Sequence, residues 1–124
     1  MFSFLRKDKK SVKKEKIIID FDYEQLDLAL KILNNTRNKF LKQGILFDEV
    51  NEIYQKLFIA NCNEIGKIII NETQFNILIN VLNKFRLECE QKNINTLALD
   101  YMLLEIITQK EQNEPKRRQV EYAR

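Results

Sequence analysis

The residues with the clearest chemical potential are one group of carboxylates and two arginines. Asp20, Asp22 and Glu24 fall within the stretch DFDYE, and closely spaced oxygen ligands of this kind can hold a hard cation. A helix start accounts for them more simply, with Asp22 as N-cap and Glu24 as a first-turn acid favoured by the helix dipole. Histidine is absent, which removes the usual acid–base residue and the commonest metal ligand. With 2 glycines in 124 residues, no phosphate-cradling glycine loop or nucleophile elbow can be built. No catalytic residue, metal or cofactor is expected, and the chain is read as a non-enzyme.

Arg37 and Arg86 each interrupt an apolar stripe. An unpaired guanidinium is costly to bury, so each must either snorkel to solvent along its stem or meet a carboxylate such as Glu52 or Glu105. A further role is contact with an acidic protein or a phosphate, which makes both arginines candidate partner-binding residues.

The arginines occupy the same place in two copies of one pattern. KIIIDFDYEQLDLALKILN at 16–34 recurs as KIIINETQFNILINVLN at 67–83, with two residues fewer at the turn. Roles match as well as letters. Asp22 with Gln25, and Asn71 with Gln74, are spaced as capping boxes, with Phe21/Leu26 and Ile70/Phe75 placed as hydrophobic staples. At a register of 49 residues, the stripe Leu26, Leu30, Leu33, Arg37, Phe40 falls on Phe75, Ile79, Leu82, Arg86, Cys89, the i, i+4, i+7 spacing of one helical face. Gly44 falls on Asn93, the two residue types that best adopt a left-handed helix end.

A second helix follows in each copy, with Phe47, Val50, Ile53, Tyr54, Leu57 and Phe58 on one face of the first. Leu99, Met102, Leu103, Ile106 and Ile107 repeat the later part of that face. The expected fold is mainly α: two tandem strand-plus-αα-hairpin units forming a four-helix core with one or two short strands. The spacing predicts strands at 16–20 and 67–70, and helices over 22–43, 47–61, 72–92 and 96–111. The domain spans 16–111, with halves 16–61 and 67–111, between a basic tail at 1–15 and a polar, basic tail at 112–124. The strands are expected to pair with each other across a pseudo-two-fold or with another subunit.

A second apolar line, Leu28 and Ile32 matched by Ile77 and Val81, lies roughly opposite the main stripe. It is a second buried face or, if exposed, a partner-binding patch. The polar run Asn34, Asn35, Thr36 and Asn38 is expected to be a solvated face.

Charge is concentrated at the ends. The net charge is +3, yet carboxylates outnumber cations between residues 20 and 110. The opening residues Arg6, Lys7, Lys9, Lys10, Lys13 and Lys14, with Lys116, Arg117 and Arg118 near the other end, are candidates for salt-sensitive contact with nucleic acid. Phe2, Phe4 and Leu5 beside those lysines could also touch a membrane surface, a weaker expectation. Cys62 and Cys89 are far apart with no C-x-x-C spacing, Cys89 as a small core residue, which fits a reducing, cytoplasmic setting. Ile, Asn and Lys make up more than a third of the chain, consistent with an AT-rich genome or a phage or other mobile element.

The expected function is a small helical accessory or regulatory module that binds a larger, unidentified protein, with a homodimer also possible. The alternative is a nucleic-acid-associated protein that uses its basic tails around a helical core or dimer.

Overall fold

The computed structural model describes residues 16–44 and 47–112. Within them the chain forms β1 (Ile17–Asp20), α1 (Tyr23–Lys42), α2 (Asp48–Cys62), β2 (Lys67–Ile70), α3 (Glu72–Gln91) and α4 (Leu97–Gln112). The molecule is mainly helical, two strand-plus-αα-hairpin units joined by an antiparallel pair of strands. No described helix is long and apolar enough to cross a membrane. The basic residues proposed for tail contacts, Arg6 to Lys14 and Lys116 to Arg118, lie outside the described residues.

The local devices are those the spacing predicts. The Asp22 carboxylate accepts the Gln25 backbone N–H at 2.8 Å, while the Gln25 side chain accepts the Asp22 N–H at 3.2 Å. Asn71 and Gln74 repeat the exchange at 2.7 and 3.1 Å. Gly44 and Asn93 both take left-handed backbone after their helices, with φ of 76° and 61°. Glu64 does the same after α2, at φ 58°, where neither Gly nor Asn announced it. The Ile65 N–H donates back to the Ala60 carbonyl, so a Schellman-type closure holds this turn.

The strands pair with each other. Ile17 stands opposite Ile70, Ile18 opposite Ile69 and Ile19 opposite Ile68. Ile18 and Ile69 are the same position in the two KIII motifs, so the pseudo-two-fold axis passes between them. Alternation sends Ile17, Ile19, Ile68 and Ile70 into the core. The ladder runs on to Gly66, whose carbonyl accepts the Phe21 N–H at 2.6 Å. Any side chain at Gly66 would collide with the Phe21 carbonyl oxygen.

Each strand packs on the second helix of the other half, β1 on α4 and β2 on α2. Side chains fasten both junctions. The Gln109 amide of α4 accepts the Asp20 N–H at 2.6 Å and donates to the Asp20 carbonyl at 2.9 Å. Lys56 of α2 donates to the Ile69 carbonyl at 2.5 Å. The capping glutamines cross between halves as well, Gln25 donating to Glu105 at 2.6 Å and Gln74 to Glu49 at 3.2 Å. One core results, with Ile19, Leu33, Ile53, Leu78, Leu82 and Met102 fully buried.

The two glycines differ in what they demand. Gly66→Ala should lower stability by about 1–3 kcal/mol or more, because backbone rather than a flexible side chain blocks the added methyl. Gly44→Ala, with open space around it, should cost about 1–2 kcal/mol from its left-handed backbone alone. Urea unfolding of both variants checks the ranking.

Candidate interaction surface

The repeated arginines are built into the hairpins by one shared geometry. Each reaches the residue fourteen positions on, across the facing helix: Arg37 to Asn51 and Arg86 to Asp100. These partners replace the expected Glu52 and Glu105. The reason lies in helix phase, since Asn51 and Asp100 occupy the equivalent turn of the facing helix, while Glu52 pairs with Lys56 and Glu105 accepts from Gln25. Arg86 bonds the Asp100 carboxylate and lies 3.1 Å from Glu90. The Asp100 hydrogen bond and charge, with a smaller part from Glu90, raise its pKa above the ordinary arginine range.

Arg37 has only amides for the same task. It donates to Asn51 and Asn34 at 3.3 Å each, and its guanidinium lies 4.3 Å from the centre of the Tyr54 ring. Its Nε is buried with no hydrogen-bond partner among the described residues. Both arginines are therefore occupied within their own hairpins.

The second apolar line is mostly covered. Ile32 is 2 % exposed and belongs to the core, while Leu28, Ile77 and Val81 are half-buried against it. Ile77 and Val81 line a groove of about 400 Å³ between α1, α3 and the start of α2, together with Phe40, Phe47, Val50 and Phe85. Lys39 and Glu88, equivalent positions of the two halves, meet at 3.6 Å on its rim. Ile45 and Leu46, next to Phe47, lie outside the described residues. Of the polar run, Asn34 is spent on Arg37, and Asn35 and Thr36 line the groove. Cys89 is buried as expected and Cys62 is exposed.

The strongest surface feature lies outside the apolar stripes read from the sequence. On α4, Leu97, Tyr101 and Leu104 follow i, i+4, i+7 and are 59, 60 and 61 % exposed. They lie opposite Leu99, Met102 and Ile106, which face the core. The helix is thus apolar on both sides, a pattern expected of a helix covered all round. In α2 the equivalent outer positions are Asp48, Glu52 and Gln55, and its inner positions Val50, Ile53 and Leu57 are buried in the same way. The fold does not need apolar side chains at these three positions, because its own first half carries two acids and an amide there, with Ile59 and Phe58 exposed only further along α2. Extending the 49-residue register to outward positions would have revealed it.

Beside this face the seam between α1 and α4 forms two depressions of about 340 and 450 Å³, which share Asp22, Gln25 and Glu105. Tyr101 and Leu28 line the first with Glu24, and Asp20 lines the second. Asp22 is an N-cap, so its carboxylate is already committed to the helix start. No family model, curated protein or solved structure matches this chain.

Giving the first hairpin the second hairpin's carboxylate tests the arginine geometry. Asn51→Asp should raise stability at neutral pH by about 1 kcal/mol, as a charged acceptor replaces an amide. The gain depends on the ionised carboxylate, so it should be present at neutral pH and vanish once acid protonates that group. Denaturant melts at neutral and acidic pH measure both parts.

Proposed function

We propose that this chain is a non-enzymatic helical interaction module, an accessory or regulatory protein, that binds another protein through the outer face of α4. The observation that carries this reading is the contrast between Leu97, Tyr101, Leu104 and their solvated counterparts Asp48, Glu52, Gln55. Covering three large apolar side chains exposed to this degree would contribute roughly 1–2 kcal/mol each. Tyr101 at the centre offers the aromatic, amphipathic anchor common in binding hot spots. The arginines serve this role indirectly, by fixing α2 on α1 and α4 on α3 and so holding the apolar line on a rigid support.

A nucleic-acid role would rest on the terminal lysines and arginines, which the described body does not extend: the seam beside α4 carries Asp20, Asp22, Glu24 and Glu105, and these repel phosphate.

A photo-crosslinking residue placed at Tyr101, or at the equivalent Glu52, of the full chain in the cell that encodes it tests the reading. Discrete protein adducts are expected from position 101 and none from position 52. Equal adducts from both positions, or none from either, would overturn it.

A further inference from the structure

Resting on that reading, we infer that the partner presents a cationic amphipathic helix, laid along α4 with its apolar side on Leu97, Tyr101 and Leu104 and its lysines or arginines over the α1/α4 seam. The i, i+4, i+7 line spans about 10 Å of helix. That suits anchors repeated at the same spacing on a second helix. Alone, such a line would accept any apolar segment, and the charges beside it narrow the choice.

Of the carboxylates elsewhere on the described surface, Asp48, Glu49, Glu64 and Glu111 border neither depression, and the others are already neutralised. Asp27, Glu52, Glu72, Glu88, Glu90 and Asp100 each meet a lysine or arginine. Asp20, Asp22, Glu24 and Glu105 have no ion pair among the described residues, and no lysine or arginine lines either depression that they border. These four acids gather along one edge of the Leu97, Tyr101, Leu104 line. Tyr101 joins the two features, since it lines the same depression as Asp22, Glu24 and Glu105. An arginine entering there could stack on the phenol ring and reach a carboxylate in a single pose.

The same charges argue against other occupants. A second copy docking face to face would set Glu24 and Glu105 against acids of its own kind. An anionic lipid surface or a nucleic acid would meet the same repulsion. The chain's own opening residues, with Phe2, Phe4 and Leu5 ahead of Arg6, Lys7, Lys9 and Lys10, share the inferred chemistry and are the occupant the test must separate from a partner.

The test titrates the full chain with three synthetic peptides of about four helical turns, read by backbone amide shifts. One carries leucines at i, i+3, i+4 and i+7 with lysines elsewhere, the second has glutamates in place of the lysines, and the third has serines in place of the leucines. The leucine–lysine peptide should bind one to one, with shifts centred on Leu97, Tyr101 and Leu104, and both others about tenfold or more weaker. Glu24→Gln with Glu105→Gln should weaken it about tenfold, and added salt should weaken it further. Equal binding of the leucine–glutamate peptide, indifference to the two neutralising substitutions, or no binding would overturn the inference while the crosslinking at position 101 still judges the broader reading. Neutralising Lys7, Lys9, Lys10, Lys13 and Lys14 to glutamine should leave the affinity unchanged. A rise of several fold would show that the chain's own segment holds the site, and would overturn the partner assignment.

Discussion

Two strands of four residues cannot hold each other in water, and the arrangement of the whole molecule follows from how this pair is supported. Ile17, Ile19, Ile68 and Ile70 gain their burial only when helices cover the inner side of the sheet. The covering helix comes in each case from the other half. β1 lies on α4 and is clasped at Asp20 by Gln109, while β2 lies on α2 and receives Lys56 at Ile69. Neither half therefore has a complete core of its own. Gly66 is the tightest point of this scheme, where Phe21 continues the ladder against bare backbone.

The pseudo-two-fold axis that this pairing creates also separates what the architecture needs from what it does not. Both halves use an Asx–Gln capping box, a left-handed residue after the first helix and an arginine crossing to the same turn of the second helix. These shared features build the scaffold. The halves diverge in the partner given to each arginine, amide or carboxylate, and in the outer face of the second helix. The first divergence remains inside the hairpin and bears on stability. The second faces solvent, where an apolar line lowers solubility without adding to the core, and binding another surface supplies a physical reason for it.

Much of this architecture was legible because it depends on local rules. Capping boxes, helix ends at Gly44 and Asn93 and the alternating KIII strands are written within a few residues of where they act. The strand partner was not legible, because pairing within or between chains depends on how the hairpins close around the sheet. The arginine partners were missed by one residue in the first half, Asn51 for Glu52, and by five in the second, Asp100 for Glu105, since sequence distance does not set the phase of one helix against the next. Ile32 shows the same limit: its place opposite the main stripe was correct as a second face, and only packing revealed that face as core. Glu64 carries no residue-type signal for its left-handed backbone, which the closure from Ile65 to Ala60 imposes.

On α4, Leu97, Tyr101 and Leu104 form an exposed apolar line outside the core. Replacing Leu97, Tyr101 and Leu104 with solvated residues that add no charge beside Glu24 and Glu105, as Leu97→Asp, Tyr101→Gln and Leu104→Gln in one chain, puts this directly to measurement by thermal and urea unfolding. The midpoint is predicted to stay where it is or to rise, since solvated side chains replace exposed apolar ones and the new acid at 97 sits at a helix start. A marked fall in midpoint would contradict the account, because it would mean that these side chains are packed within the molecule and are not held ready for a partner.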